Sequence, residues 1–295
     1  MKIVSPKLLL VLALLAVATF LVLRRPGETN VSGTSFLVTY DSSSVDKIEI
    51  QSPKETVVLE KQGGTWSLTK PIQYRADQNS VQKAVGTGKS LGITSPVSTN
   101  PEKRNLFQVD SSGTLVKISS AGSETGVMYI GKTGSSFSNT YVRAAESNDV
   151  YLTDGVLSSV FNRPLKDWRD KTIFQRDKSQ IKSVRFQYKD ETFTLSLQDS
   201  AWIVDADPAS ETKATPFLNA LSNIQTDEFI DTVVTTLSQP TAVISVEGAD
   251  LTVYGINDGA QYIVRSSASA QLFELNKWRA EQLLKHKKDF IAEQK

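Results

Sequence analysis

The chain has 295 residues, with 33 Lys+Arg against 32 Asp+Glu, one His and a formal net charge of +1. That length allows two domains of ordinary size, each with its own core, and the balanced charge leaves no field to gather nucleic acid or an anionic surface. There is no cysteine, which excludes disulfides, thiolate metal sites, cysteine catalysis and an amino-terminal lipid-modified cysteine.

Residues 1–7 are a short polar tail carrying Lys2 and Lys7, and residues 8–23 read LLLVLALLAVATFLVL without a charge before Arg24 and Arg25. A run apolar on every face has no stripe for water, so it is expected to be a transmembrane anchor whose slight shortness is made up by snorkelling of Lys7 and Arg24. Ala16-Val17-Ala18 has the small-x-small spacing of a signal-peptide cleavage site, but Phe20–Leu23 carries the apolar run past it, which favours an uncleaved anchor. A short tail before the span and a large remainder after it place the carboxy-terminal bulk outside a cytoplasmic membrane. Residues 24–35 follow as a polar linker.

The remainder reads as one unit written twice, over residues 36–174 and 175–295. At a shift of 136 positions Val45 meets Ile181, Ile48 meets Val184, Ile50 meets Phe186, Leu59 meets Leu195, Trp66 meets Trp202, Val81 meets Phe217 and Ile93 meets Phe229. At a shift of 122, Tyr141-Val142-Arg143 meets Ile263-Val264-Arg265, and Lys166-Asp167-Trp168 meets Lys288-Asp289-Phe290. The difference assigns fourteen extra residues to the loop-like stretch 96–113 of the first copy. Matched spacing across strand, turn and helix together is the mark of a repeat.

Within the unit, VDKIEIQS and IKSVRFQY alternate apolar and polar as half-buried strands do, and TVVLEKQ and TFTLSLQ supply second strands. Trp66 and Trp202 sit on third strands and are expected to anchor the two cores. A helix follows. In the second copy Thr215 is the expected N-cap, Pro216 the first helical residue, and Phe217, Ala220, Leu221 and Ile224 the buried stripe. Val81, Ala84, Val85 and Gly88 form the stripe of the first copy. Further strands and a closing helix, around 155–170 and 277–293, complete each unit. The expected fold is therefore α+β: two tandem copies of a β-rich unit (antiparallel meander, helix, further strands, closing helix) after an amino-terminal transmembrane helix.

The apolar amino terminus, the strand–strand–Trp66 order, the step Pro71-x-x-x-x-x-Asp77 into a helix and the repetition together resemble a bacterial family known as domain of unknown function 4340. The second copy departs by having Lys213 opposite Asp77. The resemblance covers nearly the whole chain and supplies framework residues, with no catalytic ones. It implies an accessory envelope role beside an ABC-type transport system related to gliding-motility components.

Candidate chemistry is sparse. Gly86-Thr87-Gly88-Lys89-Ser90 looks like the end of a phosphate-binding loop, but Lys83 stands where the first glycine is needed and the segment ends a helix. His286, the only histidine, lies in a basic run that reads as a solvated helix face with no adjacent acid to orient it. Asp205 and Asp207 have the spacing of an acid pair but stand in a turn before Pro208. Trp168-Arg169-Asp170-Lys171 interleaves basic and aromatic residues once, which is too little for a nucleic-acid surface. No catalytic, cofactor-binding or metal-ligating residue is assigned and no cofactor is expected. The resulting expectation is a non-enzymatic, membrane-anchored envelope accessory protein that binds a protein partner such as an ABC-type transport system, with the groove between lobes as a binding location. The alternatives are an extracytoplasmic hydrolase using a carboxylate pair between the lobes and a passive structural spacer.

Overall fold

A computed structural model describes residues 35–291 other than Val233, Thr235, Thr236 and Ser238. The first lobe contains β1 (Ser35–Phe36), β2 (Lys47–Gln51), β3 (Thr56–Gln62), β4 (Thr65–Lys70), β5 (Tyr74–Arg75), α1 (Gln78–Lys89), β6 (Gly92–Ile93), α2 (Arg104–Phe107), β7 (Thr114–Ser120), β8 (Ser123–Thr133), β9 (Asn139–Ala144), β10 (Tyr151–Asp154) and α3 (Ser158–Phe161). The second contains β11 (Thr172–Gln175), β12 (Ser183–Gln187), β13 (Thr192–Gln198), β14 (Ala201–Val204), β15 (Asp207–Pro208), α4 (Glu211–Ser222), β16 (Asn223–Gln225), β17 (Glu228–Ile230), β18 (Ala242–Val246), β19 (Ala249–Ile256), β20 (Gln261–Ser266), β21 (Leu272–Asn276) and α5 (Lys277–Leu283).

Two large antiparallel sheets dominate. One runs β5-β4-β3-β2-β7-β8-β9-β10 and the other β15-β14-β13-β12-β18-β19-β20-β21-β17, and each lobe adds a small pair, β1-β6 or β11-β16. The order is the same in both lobes except for β17. Its counterpart in the first lobe is a single bridge, Ser98 to Val150. The alternation seen in the sequence sets the register: Ile48 and Ile50 are buried on one face of β2, and Val184 and Phe186 on the same face of β12. Between β3 and β4 the chain reverses through Gly63 and Gly64 at φ +56 and +86, the left-handed pair a two-residue hairpin needs. Asp199 and Ser200 hold the same conformation in the second lobe at φ +46 and +71, without glycine's freedom.

The cores solve one packing problem with different side chains. In the second lobe Phe186 and Phe193 stack with centroids 4.5 Å apart, and Phe217 meets Phe290 edge-on at 5.2 Å. The matching places in the first lobe hold Ile50, Val57, Ala84 and Trp168, all buried. Smaller residues around a larger ring conserve the filled volume.

Several expectations are corrected. The α+β fold that begins with a transmembrane helix gives way to a β-rich pair of antiparallel sheets: among the described residues no helix is long and apolar enough to cross a membrane, and the run 8–23 lies outside them. α4 begins at Glu211 with Ser210 as the residue before it, and Pro216 lies inside the helix. Ser210 N–H donates to Phe290 O at 2.7 Å, so the turn into the helix is fixed by a tertiary contact rather than by Thr215 and Pro216. The buried stripe is accordingly Ala214, Phe217, Leu218 and Leu221, one turn earlier than expected, and it matches Val81, Ala84, Val85 and Gly88 of α1 place for place. On this register the counterpart of Asp77 is Ser210, and the mismatch with Lys213 disappears. Trp66 is buried as expected, whereas Trp202 is only partly buried at the edge of its core. The closing helices are short: α3 stops before Pro164, and α5 gives way at Leu284, after which Lys285 O accepts the Tyr188 hydroxyl at 2.7 Å. The stretch 96–113 is not merely a loop, since it holds a 3-10 turn (Pro101–Lys103) and α2.

Candidate functional site

The two lobes meet at the end of the first. A 3-10 turn, Leu165–Asp167, delivers Trp168 into the first core and turns Arg169 toward the second lobe. Backbone contacts fix that placement: Ala76 bridges Arg169, and Asp170 N–H donates to Arg75 O at 2.9 Å. Arg169 is only 2% exposed. Its guanidinium carbon lies 3.6 Å from the ring centroid of Phe229 and 4.3 Å from that of Tyr74. Nη1 donates to both oxygens of Asp231, at 2.9 and 2.8 Å, and Nη2 donates to Gln271 Oε1 at 3.1 Å. Gln271 is itself oriented, because its Nε2 donates to Ile230 O and Leu272 O at 2.8 Å each. Lys166 adds an ion pair to Glu228 beside the clamp.

This constellation joins charge pairing, stacking and a planar fork that suits guanidinium better than ammonium. A cavity of about 320 Å³ remains at its edge, lined by Gln73, Tyr74, Asp231 and Thr232 among others. Burial raises the Tyr74 hydroxyl above its ordinary value. The centre of the expected groove is thus filled by Arg169, and a second cavity of about 580 Å³, lined by Tyr74, Arg75, Asp170 and Arg176 among others, opens beside it.

The other candidate residues have structural occupations. Gly88 ends α1 against the sheet: a Cβ there would come within 2.5 Å of the Tyr40 hydroxyl and 2.9 Å of Met128 Cε. Its helix terminus faces a packed core, so the segment has no room to cradle a phosphate. Gly88→Ala is expected to lower stability by about 1–3 kcal/mol through overpacking. Gly86→Ala, with nothing within 4 Å, should raise it by about 0.5–1 kcal/mol. Urea unfolding of the two variants reads both signs, and equal effects would contradict the packing role.

Asp205 and Asp207 do come together, but on one cation: Lys287 Nζ is 3.1 Å from a carboxylate oxygen of each. Thr194 N–H also donates to Asp205 at 2.9 Å, and with Lys287 it holds that carboxyl below the usual range. The two aspartates raise the Lys287 ammonium in return. A general acid needs a carboxyl held in the opposite direction, so this trio acts as a latch for the carboxy-terminal segment. His286 does have an acid partner, contrary to expectation: Nδ1 lies 2.7 Å from Glu191 Oε2, and the ring stacks on Tyr188 at 4.6 Å. Among the described residues no hydroxyl hydrogen-bonds His286 as a nucleophile would. Trp168 and Arg169 are buried, and Lys171 pairs with Asp167 at 2.6 Å, so that tetrad is not a basic surface. Among the described residues no group of three or more His, Asp or Glu is placed to hold a metal ion.

Tyr40 and Tyr188, one in each lobe, give the fold an alkaline limit. Each hydroxyl donates to a carbonyl, Val85 O or Lys285 O, at 2.7 Å, and burial pushes both above the usual phenol range. An unfolded chain gives up these protons near pH ~10 while the folded chain keeps them, so stability holds below that pH and falls above it. Urea midpoints taken from about pH 9 to about pH 11 should show the decline, and Tyr188→Phe should make it shallower.

Sequence reading missed Arg169 as a clamp, with its partner Asp231 62 positions away. One signal was present: Arg169 occupies the place that Ile291 takes in the second lobe, and a cation in a repeat position otherwise apolar needs a counter-charge.

Fold and site define a class: a duplicated, sheet-built scaffold whose lobes are joined by a buried cation clamp. The chain belongs to the family described as Domain of unknown function (DUF4340), whose model matches residues 66–242, more than half the chain and including Arg169 and Asp231. No curated protein and no solved structure gives a significant match.

Proposed function

We propose that this protein is a non-enzymatic accessory component of the cell envelope that works by contact with a partner protein. The observation that carries this reading is an open face on the first lobe. In the second lobe, Phe229 of strand β17 and Asp231 just after the strand face Arg169. By the shared sheet order, Ser98 and its bridge to Val150 take the place of β17 and β21, which sets Val97 opposite Phe229. Val97 is 47% exposed where Phe229 is partly buried against Arg169, and Leu106 in α2 of the same lobe is 58% exposed. A face that is a contact surface in one lobe and uncovered in the other suits a further protein.

The uncharged run 8–23 supports a location at a cytoplasmic membrane, with both lobes outside it. An ABC-type transport system is the partner that the family resemblance implies. A photo-crosslinking residue placed at Val97 or Leu106 in the full chain should label a membrane subunit of such a system. Val97→Asp should abolish capture without lowering the melting temperature. Crosslinking that recovers the protein alone from its native membranes would end this reading.

A further inference from the structure

The second lobe has a cavity of about 300 Å³ between α4, β16 and α5, well away in the sequence from Val97. Its floor is apolar, made by Ala220, Ile224, Leu275 and Leu283. Its rim is not. Trp278 stands there 68% exposed, the highest exposure of any described tryptophan, beside the amide side chains of Asn223, Gln225 and Gln282. Among the described residues, none of these three amide groups is spent on a hydrogen bond with another residue. Arg279, by contrast, is occupied: Nη1 donates to Gln225 O at 2.8 Å and Nε lies 3.4 Å from Asp227.

The first lobe provides a comparison. β1-β6 and β11-β16 are equivalent pairs, and the register that sets Asp77 against Ser210 also sets buried Leu91 against buried Ile224. β10 leads into α3 as β21 leads into α5. At the shift of 122, Trp278 takes the place of Val156, which is itself 41% exposed, and Gln282 takes the place of Val160, which is buried at 7% exposure. An aliphatic core residue of the first lobe is thus an amide lining the cavity in the second, and the exposed side chain beside it is an indole.

We infer that the cavity beside Trp278 is a binding site for a neutral saccharide. A pyranose ring has an apolar C–H face that lies on an indole and a hydroxyl edge that both donates and accepts. Primary amides carry both functions, and three of them line the same cavity as the indole. The one cation at the site is already paired, so nothing there selects an acidic ligand. The volume falls at the lower end of the range for small-molecule sites, about 300–1,000 Å³, which suits one or two sugar rings. The inference does not depend on the partner contact at Val97.

The test is titration of the full chain in mild detergent with disaccharides of glucose, galactose and N-acetylglucosamine at millimolar concentration, read by tryptophan emission and calorimetry. A saturable change is expected with at least one of them. Trp278→Ala and Gln282→Ala, both at the rim, should keep the wild-type melting temperature and weaken binding by about tenfold or more, or about 1.4 kcal/mol. No saturable change with any sugar would overturn the assignment. So would binding that survives both substitutions, or tighter binding of a uronic acid than of its neutral counterpart.

Discussion

Asp231→Ala is expected to lower stability by about 3 kcal/mol, more than removal of the arginine it pairs with. The asymmetry follows from exposure. Arg169 is 2% exposed as a side chain and Asp231 is 52% exposed. Without Asp231, the guanidinium stays enclosed between Tyr74 and Phe229 with Gln271 as its sole remaining side-chain partner and no counter-charge. Without Arg169, the carboxylate simply faces water. Arg169→Met keeps a polarisable chain between the two rings and removes the buried charge, so it should cost only about 1–2 kcal/mol. The double variant Arg169→Met/Asp231→Ala should recover part of the loss seen in Asp231→Ala. Urea unfolding followed by tryptophan emission measures all three. Because the clamp is the joint between lobes, Asp231→Ala should also separate one transition into two. If Arg169→Met proves the more damaging, stacking and not charge compensation holds the lobes together.

The parts of this fold that sequence made legible are those decided locally. Ile48 and Ile50 announce β2 by alternation, and the strand bounds Thr56–Gln62 and Thr192–Gln198 follow a constant shift because nothing is inserted between them. The register of α4 was not legible. Phe217, Ala220, Leu221 and Ile224 satisfy helical spacing as well as Ala214, Phe217, Leu218 and Leu221 do, and a period of 3.6 cannot separate two stripes one turn apart. The deciding contacts, Ala209 with Ile291 and Ser210 with Phe290, join residues some eighty positions apart. The same holds for the site. Glu191 with His286 and Asp231 with Arg169 are pairings across the folded chain, and the carboxylates concerned look like any others in the sequence. Trp278 gave no periodic signal because its side chain serves no core.

Trp168→Ala should cost about 3–5 kcal/mol, the largest loss expected from a single truncation in the first lobe. Trp168 is fully buried, and the smaller residues at Ile50, Val57 and Ala84 have left it the central volume of that core. The cavity would open directly beneath Arg169, so the clamp would lose its support along with the lobe. Trp168→Phe separates volume from chemistry. Nature already uses Phe290 in the equivalent place, and the indole Nε1 of Trp168 is buried without a partner. Phenylalanine removes that unpaired donor, whose burial costs about 1–3 kcal/mol, while giving up part of the ring. The two effects oppose each other, so a net loss below about 1.5 kcal/mol is expected. Urea midpoints of the two variants, compared with the wild type at equal m-value, decide the matter. Trp168→Ala unfolding within about 1 kcal/mol of the wild type would show that this core is not built around the indole.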